Sequence, residues 1–120
     1  MAGPSLAVSS PARGEIWTAD LNPTRGREQA GTRPVLIFSD DQYNQGPSDL
    51  VVIVPLTSTM RRIPIHVEIH PPEGGLRQPS RILCDQIRCI ARQRLATRWG
   101  SISAATLAEV EIRVRVVLGL

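Results

Sequence analysis

The chain contains no lysine, few aromatic side chains and no long apolar run. All 14 of its basic residues are arginine, and aromatic residues make up 3% of its 120 positions. The longest apolar stretch, residues 50 to 54, is far shorter than the ~20 residues that span a bilayer. Residues 1 to 12 lack the basic start and apolar run of a secretory signal. We therefore expect a protein that has no membrane segment and is located in the cytoplasm.

The sequence also lacks the common motifs for metals, nucleotides and covalent catalysis. Cys84 and Cys89 match neither a zinc knuckle nor a redox Cys-x-x-Cys pair, so we expect two reduced, partly buried thiols. His66, Glu68 and His70 alternate, but on a strand the outer pair would lie ~13 Å apart, which favours a solvated strand face over a metal site. No Walker loop, dinucleotide fingerprint or nucleophile elbow is present. Any catalysis is therefore expected to proceed without a metal or a cofactor.

Length and charge limit the remaining classes of protein. A chain of 120 residues forms one domain with a modest core, so a homodimer is expected to add buried surface. The net charge of +3 and the pI of 9.6 are typical of a nucleic-acid binder, because contacts with phosphates require cations. A base-composition bias in the coding genome is the alternative explanation of the many arginines.

The hydrophobic pattern predicts a mostly β protein. Short segments rich in Val and Ile, separated by Pro, Gly, Asn and Asp, are expected to form strands and to close into a small barrel. They are residues 14–19, 34–38, 50–56, 65–69, 81–84 and 87–91. A single helical turn over residues 40–44, capped by Ser39, is expected to cover one end of this barrel.

The C-terminal segment fits both a strand and a helix. Residues 111–116 alternate as in a strand, whereas apolar residues between 107 and 117 recur at helical spacing. Ser103 suits an N-cap, Ile102 and Leu107 suit a hydrophobic staple, and Gly119 suits the end of a helix. We therefore predict a helix over residues 104–118, within a single domain of residues 13–120 that follows a flexible tail of residues 1–12.

A dense polar loop separates the first two predicted strands and ends at Arg33-Pro34. Loops of about twelve residues without structure of their own often bind or cover something. The order of residues from 13 to 38 resembles the opening of the MazF/PemK/Kid family of bacterial toxins, which are small endoribonucleases. The resemblance covers residues 13 to about 118 and implies an SH3-like barrel with a C-terminal helix, a symmetric homodimer and an RNA groove along the dimer interface.

The resemblance also implies an activity and its residues. RNA can be cleaved by its own 2′-hydroxyl, which attacks the adjacent phosphorus and leaves a 2′,3′-cyclic phosphate and a 5′-hydroxyl. In the matching blocks Arg33 and Thr57 take the family's catalytic positions, and the Arg33 guanidinium would clamp the scissile phosphate. Asp85 would be the general base or a reader of base edges. The RNA-binding candidates are Arg27, Glu28, Gln29, Ser58, Arg61, Arg62 and Gln86.

The same resemblance implies a partner and leaves alternatives open. Toxins of this family are held inactive by a MazE-like antitoxin with an acidic, disordered tail, which exposed arginines would suit. In the Kid branch a His and an Arg stand where this chain has Arg27 and Leu83, so its acid and base assignment does not transfer. A CcdB-type toxin that binds DNA gyrase and cleaves nothing, or a barrel that only binds nucleic acid, are the alternatives. For Arg33 the structural alternative is an ion pair with Glu15 or Asp20.

Overall fold

The computed structural model describes residues 10–23 and 25–120, in which a curled antiparallel sheet is accompanied by two helices. The elements are β1 (Glu15–Asp20), β2 (Thr32–Ile37), α1 (Asp41–Asn44), β3 (Leu50–Thr57), β4 (Val67–Ile69), β5 (Ser80–Ile82), β6 (Arg88–Ala91), β7 (Leu95–Ser101) and α2 (Ala104–Leu118). The predicted mostly β fold with one C-terminal helix is confirmed.

The longest strand, β3, organises the sheet. The strand order is β4-β5-β3-β2-β1-β7, and every pairing is antiparallel. One edge of β3 pairs with β2, and the other edge is shared by β6 along residues 50–53 and by β5 along residues 56–57. Because β6 and β5 follow one another on the same edge, the end of β3 lies between β2 and β5. The polar residues Thr57 and Ser58 stand at this end.

Alternation along the strands separates two apolar clusters. Successive strand residues point to opposite faces, so Ile16 packs in one cluster with Val110 and Val114 of α2, whereas Trp17 packs in the other with Val35 and Ile90. Most members of both clusters are completely buried. The first cluster attaches α2 to the sheet, and the second consists of strand residues together with Leu21.

Helix α2 begins and ends as the sequence predicts. The Ser103 hydroxyl accepts the Thr106 N–H at 3.1 Å, and Gly119 adopts a left-handed conformation that ends the helix. The carboxylate of Glu73, on a 3-10 turn at Glu73–Gly75, accepts the Ser103 N–H at 2.9 Å. Within the described ranges, no helix combines the length and the apolar character needed to cross a membrane.

Several predicted boundaries are wrong, and one strand was not predicted. The segment 95–101 forms β7, whose polar residues and irregular register with β1 hide the strand pattern. The fourth strand begins at Val67 because the His66 N–H bonds Ile63 O in a turn, and the chain leaves β5 after Ile82 into a 3-10 turn at Cys84–Gln86. Asp40 caps α1, since the Ser39 hydroxyl instead accepts the Val52 N–H at 2.9 Å.

The two thiols are free and differ in environment. Cys84 is buried, and burial raises its pKa to about 11, whereas Cys89 is exposed on β6. Residues 1–9 of the predicted tail lie outside the described residues. Of the remainder, Pro11 is buried and the Ala12 N–H bonds the Glu15 carboxylate at 2.8 Å, so packed chain begins before residue 13.

The Glu15 carboxylate joins three parts of the fold. It accepts hydrogen bonds from the Ala12 N–H, from the Trp17 indole at 2.9 Å and from Arg98 of β7 at 2.6 Å. Burial raises the pKa of Glu15, but the bonds from Arg98, Trp17 and Ala12 outweigh burial and hold the pKa below the ordinary value of 4.5. The ionised carboxylate therefore stabilises the folded state.

Replacing Glu15 by Gln is expected to lower the free energy of unfolding at pH 7 by roughly 1 kcal/mol, because the charged bond to the half-exposed Arg98 is lost. Since the folded pKa is depressed, this difference is complete above pH ~4.5 and shrinks as pH falls through the folded pKa. Urea unfolding at several pH values measures it. Glu109→Gln, which breaks an exposed pair on α2, is the control and should change stability by under ~0.5 kcal/mol. A pH-independent difference would contradict the electrostatic explanation.

Candidate active site

A cavity of about 170 Å³ lies between the start of β2 and the end of β3. Its lining residues include Arg33 and Arg77, the hydroxyl-bearing Thr57, Ser58 and Ser80, and Trp99. No acidic side chain from the described part of the chain lines it. We call this space the cationic cavity. Its positive charge and hydroxyl donors suit a phosphate group.

Arg33 presents its free end to solvent at the cationic cavity. The side chain is exposed, and its Nε donates to Ala30 O at 2.9 Å, which fixes the direction of the guanidinium. The two terminal nitrogens have no partner among residues 10–23 and 25–120, and the alternative ion pair with Glu15 or Asp20 is absent there. The pair of terminal nitrogens is therefore available for two parallel hydrogen bonds to a phosphate.

Thr57 is the last residue of β3 and is half-buried. Its backbone is fixed by pairing with Arg81 of β5, and its hydroxyl oxygen accepts the Thr59 N–H at 3.2 Å. Because that bond uses an oxygen lone pair, the hydroxyl hydrogen remains free to be donated. The structure brings Arg33, Thr57 and Ser58 to the same cavity.

A second cavity, of about 190 Å³, collects a different set of side chains. It is lined by Glu28 and Gln29 of the first loop and by Asp85, Gln86 and Arg88 on the other side, with Pro55 of β3 between them. We call this space the mixed cavity, because it combines two acids, two amides and one guanidinium. One terminal nitrogen of Arg88 is buried without a partner among the described residues. Such groups can donate to and accept from the edge of a nucleobase.

Asp85 contacts a histidine that the sequence places on a solvated strand face. His66 is only 8% exposed, and its Nε2 lies 2.9 Å from Asp85 Oδ1. The prediction of a solvated His66 is wrong, because the turn from Ile63 rotates this residue inward before β4 begins. Asp85 itself remains half-exposed and lines the mixed cavity, not the cationic cavity. Asp85 therefore lines a different cavity from Arg33 and Thr57.

Glu68 and His70 form a separate surface network. His70 Nε2 lies 2.7 Å from one oxygen of Glu68, and the buried Arg81 donates to the other oxygen at 3.1 Å. Arg81 also donates to Ile63 O at 3.2 Å, so this network braces the turn that carries His66. Across residues 10–23 and 25–120, no group of three or more His, Cys, Asp or Glu side chains is arranged to hold a metal ion.

Hydrogen bonds join the first loop to the turn at Cys84–Gln86. The Gln86 side-chain oxygen accepts the Gln29 N–H at 3.0 Å, and its amide nitrogen donates to Arg27 O at 3.5 Å. Within the loop, Glu28 Oε1 accepts the Arg25 N–H at 2.6 Å. Gln86 and Glu28 therefore shape the mixed cavity as well as line it.

The remaining predicted RNA contacts lie outside both cavities. Arg27, Arg61 and Arg62 are exposed, and none of them forms an ion pair with a described residue. Sequence reasoning missed Arg77, Arg88 and Trp99. Arg77 follows the Gly74-Gly75 turn and Trp99 lies on the strand that was not predicted. The one feature of the sequence that singles out Trp99 is that the chain has few aromatic residues.

Comparisons of the sequence and of the structure with known proteins all indicate the same family. A family model described as a PemK-like, MazF-like toxin of a type II toxin-antitoxin system matches residues 12–118. An endoribonuclease MazF of Staphylococcus epidermidis is 36% identical over 109 residues, which cover 90% of this chain and 91% of that protein. A crystal structure of MazF from Deinococcus radiodurans is 31% identical with a TM-score of 0.83, and the match covers 94% of this chain and 100% of that one.

A third relative was solved with a partner. It is an endoribonuclease in complex with its cognate antitoxin from a mycobacterial species, 29% identical, with a TM-score of 0.77 over 92% of this chain and 97% of that chain. In all three relatives the similarity extends over nearly the full length of both proteins.

Proposed function

Because the chain belongs to the PemK-like, MazF-like family of toxins from type II toxin-antitoxin systems, we propose that it is an endoribonuclease that cleaves single-stranded RNA at specific sequences without a metal ion. The observation that carries this proposal is the cationic cavity, where Arg33 and Thr57 meet. RNA as the substrate implies that the protein acts in the cytoplasm.

In the proposed reaction the 2′-oxygen of one nucleotide attacks the adjacent phosphorus and the 5′-oxygen of the next nucleotide leaves. The products are a 2′,3′-cyclic phosphate and a 5′-hydroxyl. The two terminal nitrogens of Arg33 bind the non-bridging oxygens, on which charge increases in the transition state. The hydroxyl of Thr57 donates to the same phosphate, and Ser58 and Arg77 add further donors. Fixing the phosphate also holds the reacting oxygens in line.

The mixed cavity is proposed to read a base of the same strand. Unstacked bases of single-stranded RNA expose their polar edges, which carboxylates and amides recognise by paired hydrogen bonds. Glu28, Gln29 and Asp85 supply these groups, and His66 orients the Asp85 carboxylate. Of the two roles considered for Asp85, its place in the mixed cavity and not in the cationic cavity supports base reading over proton removal. The exposed Arg27, Arg61 and Arg62 would contact phosphates along the strand.

The proposed partners are a second copy of the chain and an antitoxin. Ile112, Val116, Leu118 and Leu120, in and just after α2, are more than half exposed, and a homodimer would cover apolar surface of this kind. The mycobacterial relative binds its cognate antitoxin. A MazE-like antitoxin with an acidic segment would suit the net charge of +3 and the exposed arginines here.

Incubating the purified protein with a long, weakly structured transcript in EDTA tests the proposal. The expected result is cutting at one short sequence, with 5′-hydroxyl ends found by primer extension and end labelling, and cyclic phosphates found by mass spectrometry. Cutting only after magnesium is added would contradict the metal-independent reaction. No cutting by folded protein would overturn the nuclease and favour a gyrase-binding or purely nucleic-acid-binding protein.

A further inference from the structure

We infer that Trp99 is a stacking platform for a nucleobase next to the phosphate held by Arg33. The inference rests on the proposed function and adds Trp99 to the residues proposed to bind RNA. Among the four aromatic residues of the chain, Trp99 alone lines the cationic cavity. Trp99 also packs against the apolar cluster that contains Ile16 and Val110, which holds its side chain beside the position proposed for the phosphate.

The other aromatic side chains have different surroundings. Trp17 is 8% exposed and its indole N–H bonds Glu15, whereas Phe38 lies under the Arg13 guanidinium at 4.6 Å. Tyr43 is exposed on α1 and lines neither the cationic nor the mixed cavity. Trp99 is only partly buried, and its indole N–H donates to no residue in the described part of the chain. The partly exposed Trp99, with its indole N–H free of a protein partner, is therefore available to contact a ligand.

The backbone of Trp99 is held in place by a close contact with two glycines. A Cβ at Gly75 would lie 2.2 Å from the Trp99 carbonyl oxygen, and a Cβ at Gly100 would lie 2.8 Å from the Gly74 carbonyl carbon. The turn at Glu73–Gly75 therefore lies directly against β7. This contact fixes where Trp99 enters the cavity and reduces the ordering that base binding requires.

The size and charge of the cavity limit what Trp99 can bind. The space of about 170 Å³ is equivalent to roughly six water molecules, so it holds one phosphate group, and the base stacked on Trp99 lies at the edge of this space. Single-stranded nucleic acids are commonly bound by stacking bases on aromatic rings beside cationic groups that contact the phosphates. Arg33 and Arg77 supply the cations and Trp99 supplies the ring. Because every base has an aromatic face, Trp99 increases affinity without choosing the base.

Tryptophan fluorescence gives a test that does not depend on cleavage. The probe is a short single-stranded RNA that spans a mapped cut site and carries 2′-deoxyribose at the attacking nucleotide, so that it binds without reacting. Stacking is expected to quench the emission of the wild-type protein and of Trp17→Phe, which retains Trp99 as its one tryptophan. The quenching should disappear in Trp99→Phe. Equal quenching in Trp99→Phe would overturn the inference.

Kinetics of two matched variants separate stacking from packing. Trp99→Leu keeps an apolar side chain and is expected to raise KM roughly tenfold with little change in kcat, because stacking contributes equally to ground-state and transition-state binding. Trp99→Phe should recover most of the loss, and the recognised sequence should be the same in both. Unchanged KM in Trp99→Leu would contradict the inference while leaving the nuclease intact, whereas a wild-type protein that cuts nothing would overturn the proposed function and the inference together.

Discussion

Replacement of Arg33 by Ala is expected to slow RNA cleavage by roughly a thousandfold, because one positioned donor at a developing oxyanion contributes about 10²–10³ in rate. The fold should be unaffected, since the side chain is exposed and makes one hydrogen bond, to Ala30 O. Single-turnover cleavage of a mapped RNA measures the loss, and the thermal midpoint checks the fold.

Arg33→Lys tests the geometry of this donor. A lysine retains the charge but offers a single nitrogen, so it cannot form two parallel bonds to the phosphate, and most of the loss should remain. Arg115→Ala removes the same charge from an exposed position on α2 and should leave the rate within about threefold. Recovery of the wild-type rate in Arg33→Lys would contradict the bidentate clamp and indicate that charge alone matters.

Replacement of Gly75 by Ala is expected to lower the free energy of unfolding by about 3 kcal/mol or more. Gly75 has a φ of +73°, which disfavours any side chain, and the new Cβ would lie 2.2 Å from the carbonyl oxygen of Trp99. Relief of that contact requires β7 and the turn at Glu73–Gly75 to separate. Urea unfolding at fixed protein concentration, extrapolated to water, gives the change.

Gly119 provides the matched control for this substitution. Its φ of +71° is nearly the same, but a Cβ there would have no atom within 4 Å. Gly119→Ala should therefore show the cost of the left-handed backbone alone, about 1–2 kcal/mol. Equal losses in the two variants would mean that the contact between the turn and β7 contributes nothing to stability.

The sequence predicts an element correctly where a single local pattern of residues is strong. The run of apolar residues in β3 and the capped pattern of α2 predict elements close to the observed ones. The strand β7 was missed because its sequence, with Arg98 and two threonine or serine positions, carries no alternation, and its pairing with β1 is irregular. Pairing with a distant strand, not local propensity, determines this segment.

The residues of the candidate site also fall into two groups, those identified from the sequence and those found only in the structure. Arg33 and Thr57 are assigned to the site through the resemblance of their segments to the toxin family, and the structure brings both residues to one cavity. The burial of His66 beside Asp85 depends on a turn whose hydrogen bond from His66 N–H to Ile63 O has no sequence signature. Arg77 and Trp99 reach the cavity through the contact of two distant segments, which periodicity does not detect.

Both cavities lie along β3, and this strand fixes the distance between them. Pro55 lines the mixed cavity and Thr57 lines the cationic cavity, two residues and ~6.6 Å farther along β3. In the proposed reaction, the distance between the base in the mixed cavity and the phosphate in the cationic cavity is therefore set by the backbone of β3, which a substitution of a lining side chain leaves in place. Substitutions in the first loop would then change which base is recognised. The number of nucleotides between that base and the cleaved bond would stay the same.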